Sequence, residues 1–196
     1  MQSIRKADVA RTTRETDIAL SLTLDGSGKT EIQTGVGFFD HMLDAMCRFG
    51  QLDLKLTCRG DLQVDAHHTV EDCGICLGKA LREALGDRTG ICRAGSAFLP
   101  MDEALAFSSV DISGRPFLVF DADFPQAVCG QYDCSMTVEF MRALAFNSQI
   151  TLHIKSLYGD NSHHITEAIY KAVAHSLRIA VKPNNSNKPL STKGVL

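Results

Sequence analysis

A chain of 196 residues, 44 % of them apolar, carries enough hydrophobic material for a sizeable core in one domain or two fused halves. The formal charge is −3 and the 20 basic residues are scattered rather than gathered in runs, which argues against a nucleic-acid or membrane-surface partner and for a small-molecule substrate. No stretch approaches the roughly 18 consecutive apolar residues of a membrane-spanning helix. The first residues carry no apolar segment behind their charges, so a cytoplasmic protein is expected, unless it is delivered elsewhere after removal of a segment not present.

Asp17 to Leu24 alternates apolar and polar residues, and Asp25-Gly26-Ser27-Gly28 supplies turn chemistry before Lys29 to Thr34, so a hairpin is expected. Phe38 to Phe49 has helical spacing, with Gly50 as its stop. Gln51 to Cys58 alternates again, with Leu52, Leu54 and Leu56 on one face. Thr69 to Leu85 is an amphipathic helix ended by Gly86. It contains a Cys73-x-x-Cys76 pair, read as packing rather than as a redox or zinc site; the seven cysteines, irregularly spaced, suit unpaired thiols in a reducing compartment.

The second half repeats this order. A strand Leu105 to Val110 leads into Asp111-Ile112-Ser113-Gly114-Arg115, which resembles residues 25–29. Then follow Phe117 to Phe120, a helix near Ser135 to Asn147, a strand Gln149 to Lys155 and a helix Ile165 to Val181. Internal duplication is the economical reading, since one such unit would bury its sheet face poorly alone and well against a copy. We expect an α+β fold with helices covering one sheet face, repeats at 1–92 and 93–181, and a Pro/Asn/Ser-rich tail at 182–196 that composition makes flexible.

Only seven histidines are present, yet four fall into two His-His-x-x-Glu units, His67-His68-x-x-Glu71 and His163-His164-x-x-Glu167, at equivalent places in the two halves. On a helix, positions i and i+4 share a face, so His67 with Glu71, and His163 with Glu167, can each clamp an ion. The middle histidines, His68 and His164, point about 100° away and should serve the other ion. His41 lies 26 residues before His67, and Glu139 lies 24 residues before His163. One ion is therefore expected on His41, His68, His163 and Glu167, and the other on His67, Glu71, Glu139 and His164. Imidazole and carboxylate donors without thiolate favour Mn²⁺ or Fe²⁺ at an open site, with Zn²⁺ as a further option; manganese is preferred. Asp72 lacks a counterpart in the second repeat, where Ala168 stands, and is a candidate partner behind the ligands. His153 and His175 fall outside the pattern.

At these motifs the chain resembles the imidazoleglycerol-phosphate dehydratases of histidine biosynthesis. The likeness rests on Arg11-Thr12-Thr13-Arg14-Glu15-Thr16, Phe38-Phe39-Asp40-His41-Met42-Leu43, Asp65-Ala66-His67-His68-Thr69-Val70-Glu71-Asp72, Asp111-Ile112-Ser113-Gly114-Arg115-Pro116, Tyr158-Gly159-Asp160-Asn161-Ser162-His163-His164 and Ser191-Thr192-Lys193-Gly194. Many members carry histidine where this chain has Glu139. The resemblance implies a duplicated α+β sandwich like ribosomal protein S5 domain 2, two Mn²⁺ per active site, and trimers assembled into a 24-subunit shell with sites between subunits. It also implies a hydro-lyase that converts D-erythro-imidazole-glycerol phosphate to imidazole-acetol phosphate.

The hydrogen removed in that reaction is not next to a carbonyl, so simple base catalysis faces a high barrier. A metal-bound imidazolate can instead expel the adjacent hydroxyl to give a diazafulvene, and proton loss from the next carbon gives an enol that becomes the ketone. The resemblance makes Glu15 the candidate acid/base, with Glu167 and Lys171 beside it in catalysis. It places Arg93, Arg115, Lys171, Ser191 and Lys193 on the phosphate, Lys171 extending the helix face of His163 and Glu167 while Ile75 holds that place in the first repeat. Glu15, His41, His67, Glu71 and His163 complete the expected substrate contacts. Two other classes stay open on the residues alone: a metal-dependent hydrolase, and a noncatalytic metal-binding shell.

Overall fold

Alternation places Ile18, Leu20 and Leu22 on a buried face and Asp17, Ala19 and Ser21 on the opposite one, the pattern of a strand packed on one side only. In the computed structural model, which describes residues 4–184, 186 and 188–192, that strand belongs to a unit occurring twice. The first copy is β1 (Lys6–Thr12), β2 (Thr16–Thr23), β3 (Thr30–Gln33), α1 (Gly37–Gly50), β4 (Asp53–Gly60) and α2 (His67–Leu85). The second is β5 (Ala94–Met101), β6 (Ala104–Asp111), β7 (Phe117–Asp121), a small hairpin of β8 (Val128–Cys129) and β9 (Tyr132–Asp133), α3 (Met136–Ser148), β10 (Thr151–Tyr158) and α4 (Ser162–Val181). The sheets have the orders β1-β2-β4-β3 and β5-β6-β10-β7. In each the last strand runs parallel to its neighbour and the other pairs are antiparallel.

The expected hairpin between Asp17 and Thr34 does not form. β4 lies between β2 and β3, and residues 25–29 cross its end. The Asp53 carboxylate accepts the N–H groups of Ser27 (2.7 Å) and Lys29 (2.9 Å), which ties that crossing to β4. The hairpins are β1–β2 and β5–β6, and their first strands have weak alternation because both are edges. Ala7 is the one fully buried residue of β1, and β5 contains Gly95 and Pro100, tolerated where a ladder is half empty. Gly95 also admits α4: a Cβ there would lie 2.2 Å from the carbonyl oxygen of Ser176.

Both central strands begin two residues later than their alternation suggests. Gln51 and Gln149 are left-handed (φ 53° and 57°) and close α1 and α3, with the following amides of Leu52 and Ile150 bonded back to Cys47 O and Ala145 O at 3.0 and 3.1 Å. Gly50 is thus the last helical residue, not the cap.

α2 covers β1 and β2 and packs on α3, while α4 covers β5 and β6 and packs on α1, so the helix contacts cross between repeats. At their centre Phe39, Phe140 and Tyr170, all fully buried, meet with ring centroids 5.3 Å apart at each step. Each such side chain contributes roughly 1.5–3 kcal/mol by burial. Cys73 and Cys76 are buried on α2 in the same core.

Facing residues define the repeat equivalence: Thr23 opposes Asp53 as Asp111 opposes Thr151. Gly26 therefore corresponds to Gly114, two residues out of step with the likeness read between 25–29 and 111–115. The described part of the tail does not swing free. Pro183 bridges to Ile91, Asn184 Nδ2 donates to Ile91 O at 2.6 Å, and Arg93 Nη1 donates to Leu190 O at 2.5 Å. Among the described residues, no helix is long and apolar enough to cross a membrane.

Candidate metal and substrate site

Each His-His-x-x-Glu motif begins a helix and is fixed there by a side chain two residues earlier. Asp65 Oδ1 accepts the His67 N–H at 2.7 Å, and Asn161 Oδ1 accepts the His163 N–H at 2.9 Å. On α4 this aims His163 and Glu167 at His41 of α1. The Nε2 atoms of His41 and His163 lie 3.5 and 3.6 Å from Glu167 Oε2, and the three donors fall within 4.8 Å of one another. Glu167 is largely buried and the two histidines are half exposed. The edge of the Phe38 ring packs on His163, centroids 4.9 Å apart. Two imidazole nitrogens and one carboxylate converging from two helices are a donor set that fits a divalent ion of the manganese or iron type.

Lys171, one turn further along α4, is buried, with Nζ 3.8 Å from Glu167 Oε1 and 4.8 Å from the centre of the Phe49 ring. In the first repeat His67 Nε2 lies 3.7 Å from Glu71 Oε2, but both side chains are more than 40 % exposed. Glu139 is paired with Arg142 on its own helix. Among the described residues no further group of three donors comes as close as His41, His163 and Glu167.

The middle histidines turn away from their neighbours, and each is held by a carboxylate. His68 Nδ1 donates to Asp61 at 3.0 Å, and its Nε2 lies 3.7 Å from Glu15 Oε1. His164 Nδ1 donates to Glu103 at 2.6 Å. A carboxylate only accepts, so the proton sits on Nδ1, and Nε2 of the neutral ring is the atom left with a lone pair. The hydrogen bond to Asp61, with the charges of Glu15, Asp61 and Asp65 nearby, raises the His68 pKa; the bond to Glu103, with Glu103, Asp102 and Glu167, does the same for His164. The bond from His164, with backbone N–H groups, lowers Glu103 to about 2. Within one chain, then, His68 does not join His41, His163 and Glu167; its ring is held by Asp61 beside Glu15 of the β1–β2 turn.

Asp72 is not a partner behind the ligands. It is buried between α2 and the first sheet, where it pairs with Arg11 and accepts from Thr16 Oγ1 at 2.5 Å. Asp61 and Glu103 hold the positions expected of Asp72, and neither was legible from the motif. Glu103 sits at the β5–β6 turn, and recognising that hairpin would have set it beside Glu15.

Arg93, Arg115 and Ser191 come together in a cleft of about 510 Å³ with Pro189, Leu190 and Thr192. The Arg93 guanidinium is held in plane by Asp111, Nε to Oδ1 at 2.7 Å and Nη2 to Oδ2 at 3.0 Å. Lys171 does not line this cleft, and Lys193 lies outside the described residues. A second cleft of about 580 Å³ opens beside His163, between Phe38, Gln126 and the β8–β9 hairpin.

This is a duplicated α+β protein with a histidine and carboxylate centre at its helix starts and an arginine-lined cleft at the end of its second sheet. The model of the imidazoleglycerol-phosphate dehydratase family matches residues 34–177. The imidazoleglycerol-phosphate dehydratase of Cereibacter sphaeroides is 53 % identical over 195 residues, spanning 98 % of this chain and 100 % of the relative. That of Alkaliphilus metalliredigens is 56 % identical over 188 residues, 95 % and 96 % of the two chains. Among solved structures, the Staphylococcus aureus enzyme superposes with a TM-score of 0.83 at 38 % identity, covering 91 % of this chain and 99 % of that one. The Pyrococcus furiosus enzyme, solved in complex with (S)-C348, also gives 0.83, at 41 % identity, with 96 % and 100 % covered. The chain belongs to the imidazoleglycerol-phosphate dehydratase family, hydro-lyases that dehydrate imidazoleglycerol phosphate in histidine biosynthesis.

Proposed function

We propose that the chain converts D-erythro-imidazole-glycerol phosphate to imidazole-acetol phosphate at a site holding two manganese ions and completed between copies of the chain. The observation that carries this reading is the convergence of His41, His163 and Glu167, three ligands of a four-ligand set whose fourth member, His68, faces outward from another helix. His68 of a second copy would complete the first set. His164 of one copy would likewise join His67, Glu71 and Glu139 of the other. Manganese held by these histidines and carboxylates would supply Lewis acidity to the substrate's imidazole.

The chain's own part is binding and proton traffic. Glu15, half exposed at the β1–β2 turn with its N–H on Thr13 Oγ1 (3.1 Å), removes the proton from the carbon next to the one that lost hydroxyl and returns one as the enol becomes the ketone. Glu167 receives Lys171 on Oε1 while Oε2 faces the two histidines, so the ammonium fixes the carboxylate's orientation. Arg93, pre-set by Asp111, takes the phosphate with Arg115, Ser191 and Lys193. Lys171 reaches the same phosphate from another copy, which again requires assembly, in the form of trimers within a 24-subunit shell. A cytoplasmic enzyme of amino-acid biosynthesis fits this reading.

Incubating manganese-loaded protein with D-erythro-imidazole-glycerol phosphate should release imidazole-acetol phosphate, and chelation should stop it. Full manganese occupancy without ketone would overturn the proposal.

A further inference from the structure

The strand registers of the β1–β2 and β5–β6 hairpins, Lys6 opposite Thr23 and Ala94 opposite Asp111, put Glu15 and Glu103 at the same place in the two repeats. The two carboxylates have diverged. Glu15 stands half exposed, 3.7 Å from His68 Nε2. Glu103 is bound at both oxygens: Oε1 accepts the N–H groups of Asp160 (3.2 Å) and Asn161 (3.0 Å), and Oε2 accepts His164 Nδ1–H at 2.6 Å. Asn161 in turn caps the His163 N–H, so one carboxylate ties the turn to the start of α4, where both histidines sit. In the first repeat the Nδ1 partner is Asp61, beyond the end of β4, so Glu15 is not needed for that task.

We propose that Glu103 is a positioning residue of the metal centre, holding His164 with Nδ1 protonated and Nε2 presented to the ion, while its repeat counterpart Glu15 is the copy that moves protons. The inference rests on the reading of His164 as a ligand. Glu103→Gln tests it with little change of shape. The amide oxygen still serves Asp160 and Asn161, but its NH₂ now faces His164 Nδ1, which must become an acceptor, and the ring proton moves to Nε2, the atom the ion needs.

Free Mn²⁺, followed by its EPR signal during titration, should report an affinity about 10–100-fold weaker in Glu103→Gln. The metal-free unfolding midpoint should stay within about 2 °C of the parent, since no buried contact is removed. Activity should return at saturating Mn²⁺, with the half-saturating concentration raised by the same factor and kcat close to the parent's. Glu15→Gln should do the reverse, losing kcat at parental Mn²⁺ affinity. If His164→Ala binds Mn²⁺ like the parent, the ligand reading fails and the inference with it. If His164→Ala loses Mn²⁺ but Glu103→Gln does not, the positioning role alone is overturned. A metal-free midpoint that falls along with the affinity would make Glu103 a structural brace and overturn it too.

Discussion

In the second repeat the helix start delivers Glu167 into an enclosed corner with His163, His41 and Lys171, whereas in the first the same motif leaves Glu71 and His67 more than 40 % exposed, with Ile75 where Lys171 stands. The scaffolds around the two motifs are nearly interchangeable: the same strand order, the same left-handed glutamine closing α1 and α3, the same bond from the first histidine's N–H to a side chain two residues earlier. Duplication has therefore kept the backbone and let the charges diverge. A largely buried carboxylate needs a cation or several donors around it, while an exposed one is served by water. One chain thus carries one converged group of donors and one open pair.

That asymmetry is most sharply tested by removing equivalent ligands. His163→Ala should lower Mn²⁺ affinity more than about 100-fold even in dissociated chains, beyond the effect of losing a group behind a ligand. His67→Ala should show a comparable loss only in the assembled protein. Equal losses in dissociated chains, measured by metal titration at high dilution, would erase the distinction. Next in size, Lys171→Ala assayed at saturating Mn²⁺ should raise KM about 10–100-fold, the effect of removing a charged hydrogen bond worth roughly 1.5–3 kcal/mol, while Ile75→Ala leaves KM alone. Unchanged substrate affinity in Lys171→Ala would remove that residue from the phosphate site.

The smallest effect separates the two crossing segments. The N–H groups of Lys29 and Ser27 hold the Asp53 carboxyl below its ordinary pKa, and Thr151 takes its place in the second repeat. A depressed folded pKa gives stability that is present above the unfolded value of about 3.9 and lost as pH falls through the folded one. Asp53→Asn keeps an acceptor and loses the charge. It should cost less than about 1 kcal/mol at neutral pH after solvent screening, and the difference in unfolding free energy from the parent should vanish towards acid. A constant difference from pH 7 to 2 would mean that the charge contributes nothing.

The duplication, the one-sided sheets and the helix starts were legible because period and repetition survive in the sequence wherever a face is buried. What escaped has physical causes. β1 and β5 are edges with few buried side chains, and missing them also hid the equivalence of Glu15 and Glu103. The supposed hairpin failed because Gly-rich turn chemistry suits a crossing over the end of β4 as well as a reversal. The i, i+4 rule found His163 with Glu167, and helix packing brought in His41 as spacing suggested. Helical periodicity also showed that His68 and His164 point elsewhere. It could not show that Asp61 and Glu103 hold them, since Asp61 lies in the irregular stretch between β4 and α2, where no period places a side chain, and Glu103 is remote in sequence from His164.

Completion of the site by a second copy is tested most directly by mixing two inactive variants, His68→Ala and His163→Ala, in metal-free form and reassembling them with Mn²⁺. A site drawing His41, His163 and Glu167 from one chain and His68 from another is whole wherever a His68→Ala chain meets a His163→Ala chain in that order. The mixture should then regain roughly a quarter of parental dehydration activity for random assembly, although each variant alone has almost none. A mixture no more active than its components would contradict sharing between chains.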